Sequence, residues 1–74
     1  MTKTIYSKEH RYAAARLKKA RQEAGLDQAH VAKLLAKTQS YVSKIESGQR
    51  KIDIVTLKEF AKLYKKPTSY FLSE

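Results

Sequence analysis

The sequence has no cysteine and no tryptophan, a single proline and two glycines among its 74 residues. The absence of cysteine excludes a disulfide framework and a thiolate metal site. No apolar run approaches the roughly 18 residues of a membrane-spanning helix, and residues 1–7 lack the apolar stretch of a signal peptide. We therefore expect a cytoplasmic protein with no membrane partner. The length suits one domain, and a core this small would gain stability from a dimer partner.

Acidic residues are also scarce. Seven Asp and Glu stand against sixteen Lys and Arg, which gives a formal net charge of +9. Residues 1–52 hold twelve of the basic and four of the acidic residues, so one face of the molecule is expected to be more positive than the rest. Such an excess suits a polyanion, above all nucleic acid and less readily an anionic membrane. A merely solubilising surface has the same composition.

The chain has few helix-breaking residues, and its apolar residues recur at helical spacing. We predict an all-α fold of five helices, at residues 8–24, 28–35 and 39–47, then after Asp53, and a short one after Pro67. Capping residues precede the first four helices, and glycine ends the first and the third. These positions are Ser7, Asp27, Thr38 and Asp53 for the caps, and Gly25 and Gly48 for the ends.

Each predicted helix has an apolar stripe that indicates the core. The expected members are Ala13, Leu17, Ala20 and Ala24; Val31, Leu34 and Leu35; Val42 and Ile45; Leu57, Phe60, Ala61 and Tyr64; and Tyr70, Phe71 and Leu72. The aromatics Tyr64, Tyr70 and Phe71 suit either the core or a contact between two copies of the chain. We take them as the candidate dimer contact.

Two short helices in immediate succession, residues 28–35 and 39–47, are the most informative feature. The second has a narrow apolar stripe, Val42 and Ile45, and leaves a broad polar side. Such a side suits the major groove of DNA, where base edges offer fixed donors and acceptors. The candidate base-reading residues are Gln39, Ser40, Ser43 and Lys44. Tyr41 suits either the edge of the core or a hydroxyl contact with a phosphate, and we place it with the phosphate contacts.

Residues 25–28, 31–32 and 39–48 read Gly-Leu-Asp-Gln, Val-Ala and Gln-Ser-Tyr-Val-Ser-Lys-Ile-Glu-Ser-Gly. In combination they resemble the Xre family of phage Cro and repressor-type helix-turn-helix proteins, over roughly residues 17–72. The resemblance implies a five-helix, lambda-repressor-like DNA-binding domain whose second and third helices form the helix-turn-helix. We expect this domain to occupy residues 8–74, after a flexible N-terminal segment at residues 1–7.

The resemblance also implies roles for individual residues. Gln28 would contact a phosphate and brace Gln39, and Arg21 would form a partly buried structural ion pair with Glu46. The full set of phosphate contacts would be Gln28, Tyr41, Gln49, Arg50 and Lys51. The chain departs from the family at three positions, because Ala36 and Lys65 replace common glycines and His30 replaces a common acidic residue. A left-handed Ala36 would cost about 1 kcal/mol, so either the turn differs or the fold tolerates the strain.

Other functions find little support. The sequence has no glycine-rich phosphate loop, no cysteine nucleophile and no carboxylate pair flanking a cleft, so we do not expect an enzyme. His10 and His30 lack partners at metal-ligand spacing, and we expect both to be exposed. No metal, cofactor or small-molecule ligand is evident.

We expect a regulator that binds double-stranded DNA as a homodimer, with half-sites ~10 bp apart. A phage repressor and a restriction-modification controller remain open as subtypes. The alternative is an antitoxin or another protein-interaction module. A membrane-surface helix at residues 8–24 is disfavoured because its apolar side is mostly alanine.

Overall fold

The computed structural model describes residues 8–72. Four α-helices follow one another in this range: α1 (Lys8–Glu23), α2 (Gln28–Leu35), α3 (Gln39–Glu46) and α4 (Ile54–Tyr64). The described residues contain no strand, so the all-α prediction is confirmed. The predicted cap Ser7 and the predicted flexible segment at residues 1–7 lie outside the described residues.

The prediction of a fifth α-helix is wrong. Residues Thr68–Phe71 form a 3-10 helix of four residues. Its amide bonds reach back three residues, from Tyr70 to the Pro67 carbonyl at 3.0 Å and from Leu72 to the Ser69 carbonyl at 3.2 Å. So short a segment closes these tighter turns more readily than an α-helical ladder. Phe71 is fully buried and anchors the segment, whereas Leu72, also expected in the core, is about half exposed.

The N-termini of α2, α3 and α4 are capped as predicted. Asp27 accepts from the His30 amide at 2.8 Å, Thr38 from the Tyr41 amide at 3.1 Å, and Asp53 from the Thr56 amide at 2.8 Å. The backbone N–H of Thr56 also holds the pKa of the Asp53 carboxyl below its usual value. Each cap satisfies one amide that the first helical turn leaves free, which fixes where these short helices begin.

A single hydrophobic core joins all four helices and the 3-10 helix. Its fully buried large side chains are Leu17, Val31, Val42, Ile45, Phe60 and Phe71. Two expected core residues are not buried: Leu34 is 53% exposed, and Ala24 is exposed beyond the end of α1. In α2 the buried positions are Val31 and Ala32, with Leu35 partly buried against the core. Leu34 therefore falls on the outer side of a helix whose inward stripe is narrow.

Each α-helix ends in the same backbone reversal. The residues in left-handed conformation are Gly25, Ala36, Gly48 and Lys65, with φ of 75°, 58°, 83° and 58°. After each of them, the next amide returns to a carbonyl five residues earlier, as from Lys37 to Ala32 at 2.8 Å and from Gln49 to Lys44 at 3.0 Å. This is the Schellman arrangement. Of the two outcomes left open for Ala36, the structure has the left-handed one.

We expect Ala36→Gly to raise the free energy of unfolding by about 0.5–1 kcal/mol, because glycine carries no Cβ to strain the left-handed conformation. The matched control is Ala15→Gly, at an exposed position inside α1, which should lower stability by about 1 kcal/mol. Urea denaturation with an unchanged m-value measures both. Equal losses for the two variants would contradict a strain localised at residue 36.

Candidate nucleic-acid interface

The outer side of α3 is polar and open. Val42 and Ile45 are fully buried, whereas the predicted base-reading residues Gln39, Ser40, Ser43 and Lys44 are all exposed. These four fall at i and i+4 spacing, so they share one contiguous side of the helix. The structure thus brings the four together as a surface of amide, hydroxyl and ammonium groups. The opposite side of α3 is fixed in the core by Val42 and Ile45.

A basic loop lies against the C-terminal end of α3. The amides of Gln49 and Arg50 both donate to the Lys44 carbonyl, at 3.0 and 3.2 Å. Gly48 makes the reversal possible with φ of 83°. Gln49, Arg50 and Lys51 are exposed, and the loop places them at the same end of α3 as Lys44. This arrangement extends the polar side of α3 with positive charge.

The predicted partners Arg21 and Glu46 form a buried, two-pronged contact between α1 and α3. The Arg21 Nε donates to Glu46 Oε2 at 2.8 Å and its Nη2 donates to Oε1 at 3.2 Å. Their side chains are 10% and 3% exposed. Hydrogen bonding to Glu46 raises the pKa of the Arg21 guanidinium despite the opposing effect of burial. Arg21 Nη1 also donates to the Leu26 carbonyl at 3.0 Å, which ties the α1–α2 turn to the same group.

Gln28 adds α2 to this contact. Its side-chain Nε2 donates to Glu46 Oε1 at 3.1 Å. One carboxylate therefore receives hydrogen bonds from α1 and α2 while it projects from α3 itself. The expected contacts of Gln28 with a phosphate and with Gln39 remain predictions. The bond to Glu46 was not expected, since the sequence suggested only Arg21 as its partner.

The two histidines differ in their exposure to solvent. His30 is exposed, as expected. His10 is only partly exposed, and its Nε2 lies 3.2 Å from the Arg50 carbonyl oxygen, so the expectation of an exposed His10 is wrong. The contact joins the first turn of α1 to the basic loop after α3. Residues 10 and 50 are forty positions apart, and no sequence pattern pairs them.

Tyr41 is partly buried and packs against the core. Two cations face its ring: the Arg50 guanidinium carbon lies 4.8 Å from the ring centroid and the Lys37 Nζ lies 5.2 Å from it. Lys37 was not among the residues that the sequence singled out. The structure thus gives Tyr41 a place at the core edge and, at the same time, a place beside two basic side chains.

The aromatics proposed for a dimer contact need correction. Phe71 is fully buried and Tyr64 is 6% exposed, so both belong to the core of one chain and offer no side-chain surface to a second copy. Burial also raises the pKa of the Tyr64 phenol well above its usual value. Tyr70 is partly exposed, and its ring stacks against the Arg16 guanidinium at 3.9 Å. Of the three, only Tyr70 has a side chain exposed enough to contact a second copy of the chain.

The fold and the paired helices α2 and α3 define a helix-turn-helix domain. The helix-turn-helix family model matches residues 17–71, and the chain belongs to this Xre-like family. No helix within residues 8–72 is both long and apolar enough to cross a membrane.

Three known proteins illustrate the similarity. The HTH-type transcriptional regulator PrpR of Mycobacterium tuberculosis is 36% identical over 63 residues, which are 85% of this chain but only 13% of that protein. The DNA-binding domain of BldD superposes with a TM-score of 0.82 at 25% identity, covering 90% of this chain and 97% of that one. The restriction-modification controller protein C.AhdI from Aeromonas hydrophila superposes with a TM-score of 0.75 at 28% identity, covering 82% and 92%.

Proposed function

We propose that this chain is a transcriptional regulator that binds double-stranded DNA sequence-specifically, with α3 lying in the major groove. The observation that carries the proposal is the exposed side of α3, where Gln39, Ser40, Ser43 and Lys44 lie together over two fully buried anchors. Gln can pair with both hydrogen-bonding groups of adenine, and Lys with the O6 and N7 of guanine. Small serines allow the helix to approach the base edges closely.

The basic loop would supply the contacts with the DNA backbone. We propose phosphate contacts by Gln28, Tyr41, Gln49, Arg50 and Lys51. The net charge of +9 supports them, and their consequence is binding that weakens steeply as salt rises, because each neutralised phosphate releases counterions. Such contacts fix the register of the protein on the duplex without reading its sequence.

We further propose a homodimer that acts in the cytoplasm as a repressor or a restriction-modification controller, by binding and not by catalysis. The similarity to the transcriptional regulator PrpR and to the controller protein C.AhdI supports the regulatory role within this proposal. A two-fold dimer would place two copies of α3 in successive major grooves, ~10 bp apart. Tyr70 stays as the candidate dimer contact, now without Tyr64 and Phe71. The alternative, an antitoxin or protein-interaction module, has no observation in its favour.

Selection from a random duplex pool with the purified chain tests the proposal. We expect enrichment of a motif with two related halves ~10 bp apart. A selection with Lys58→Ala, which removes an exposed charge on α4, should return the same motif. A pool without enrichment would contradict sequence-specific binding, and a single unpaired half would contradict the dimer alone.

A further inference from the structure

The ring of Tyr41 has cations from two different segments of the chain against it. Lys37 comes from the turn between α2 and α3, and Arg50 comes from the loop after α3. Their charged groups lie 5.2 and 4.8 Å from the same ring centroid. Both basic residues are exposed, whereas Tyr41 is partly buried against the core. The ring is therefore the fixed part of the cluster, and the two cations are the part open to a ligand.

The backbone of each cation is also held. The Lys37 amide donates to the Ala32 carbonyl at 2.8 Å, within the reversal that the left-handed Ala36 creates. The Arg50 amide donates to the Lys44 carbonyl at 3.2 Å, and its own carbonyl meets His10 Nε2 at 3.2 Å. Long basic side chains normally lose much rotamer freedom when they bind. Here the contact with the ring restricts that rotamer freedom before any ligand arrives, and the backbone hydrogen bonds fix the positions from which the two side chains extend.

Two like charges near one ring repel each other, and an anion that contacts both relieves that repulsion. A phosphate group suits both, because Arg and Lys are the side chains that most often neutralise it. The cluster flanks the polar side of α3 at Tyr41, in the first turn of that helix. A duplex that placed its bases against α3 would bring its backbone phosphates to this flank.

We infer that Lys37 and Arg50 form a phosphate clamp on the DNA backbone and that the Tyr41 ring positions both cations for it. The inference rests on the proposed function and adds Lys37 to the residues that contact DNA. It also replaces the direct phosphate contact proposed above for Tyr41 with an indirect role. The ring, through its negative face, aligns the cations, and the hydroxyl is not needed for binding.

The test compares two replacements of Tyr41 in the full chain. Affinity is measured for a duplex with the selected motif and for a scrambled duplex, over a series of KCl concentrations. Tyr41→Phe keeps the ring and should leave both affinities within about twofold. Tyr41→Leu removes it and should weaken binding to both duplexes about 5- to 30-fold, which corresponds to two exposed cation–π contacts. Affinity that is retained in Tyr41→Phe and lost in Tyr41→Leu shows that the ring acts and the hydroxyl does not.

The charges are tested separately. Lys37→Ala and Arg50→Ala should each weaken both duplexes and reduce the slope of log affinity against log salt by about 0.9. The loss caused by Arg50→Ala should be smaller in the Tyr41→Leu background, because the cation there is no longer aligned. Lys58→Ala, an exposed charge on α4, is the matched control and should change neither affinity nor slope.

Three results would overturn the clamp. They are equal losses of affinity in Tyr41→Phe and Tyr41→Leu, an unchanged salt slope in Lys37→Ala, or additive losses of affinity when Tyr41→Leu and Arg50→Ala are combined. Should Tyr41→Leu fail to fold, proton NMR of the wild-type chain decides the geometry. The methylene protons next to the two charged groups must then show upfield ring-current shifts, and their absence overturns the inference. A wild-type chain that binds neither duplex contradicts the proposed function itself, whereas normal wild-type binding with these variant results contradicts only the clamp.

Discussion

Replacing Glu46 with alanine is expected to lower the free energy of unfolding by about 3–5 kcal/mol, because it leaves the Arg21 guanidinium buried without its counter-charge. The carboxylate accepts from Arg21 at 2.8 and 3.2 Å and from Gln28 at 3.1 Å. Removing it leaves hydrogen-bond donors on both α1 and α2 without their acceptor. Small domains have a total free energy of unfolding of about 5–15 kcal/mol, so this loss is a large fraction of the total stability.

The matched control is Glu59→Ala, which removes an exposed carboxylate on α4 and should change stability by less than about 0.5 kcal/mol. A double variant, Arg21→Met with Glu46→Leu, should recover much of the loss, since an apolar pair of similar volume needs no desolvated charge. Urea denaturation followed by circular dichroism measures all three. A Glu46→Ala loss no greater than that of Glu59→Ala would show that the buried pair contributes little.

Replacing Lys44 with alanine is expected to change which bases the protein prefers. If Lys44 reads a base, its loss should reduce discrimination at one or two positions of the selected motif by about 1–3 kcal/mol, which is roughly 5- to 150-fold. Affinity for a scrambled duplex should change much less. Lys44 lies on the same exposed side of α3 as Gln39, Ser40 and Ser43, the side that we propose to meet the base edges. Competition binding against single-base variants of the motif gives the position-by-position effect.

The comparison variant is Lys51→Ala, in the loop after α3. It should weaken selected and scrambled duplexes about equally and lower the salt slope by about one, as loss of a phosphate contact does. The two lysines therefore serve as controls for each other. If Lys44→Ala also weakens both duplexes equally, Lys44 contacts the backbone and the reading side of α3 is narrower than proposed.

The beginnings of α2, α3 and α4 could be predicted because local chemistry determines them. Asp27, Thr38 and Asp53 bond amides only three residues away, so the sequence window that contains the cap also contains its partner. The α-helical ends at glycine could be predicted for the same reason. The exposed side of α3 followed from a spacing of two apolar residues.

Contacts that join distant segments could not be predicted in this way. His10 meets the carbonyl of Arg50, and Gln28 meets the carboxylate of Glu46, only once α1, α2 and α3 have packed. Helical periodicity also assigned Leu34 to the core, although α2 buries a narrower stripe than its apolar residues suggest. Residues Thr68–Phe71 form a 3-10 helix because the segment is too short for the α-helical ladder that the position of Pro67 suggested.

The carboxylate of Glu46 is a shared junction for α1, α2 and α3, and this has a consequence for the entropy of binding. With eight residues, α3 is too short to persist alone in water. Its shape depends on Glu46 and the core anchors, so helix order is acquired when the whole domain folds and not when a ligand arrives. A surface that is already ordered loses little conformational freedom on association. Affinity for a duplex then depends on how well the two rigid surfaces match, which favours discrimination between sequences over adaptation to them.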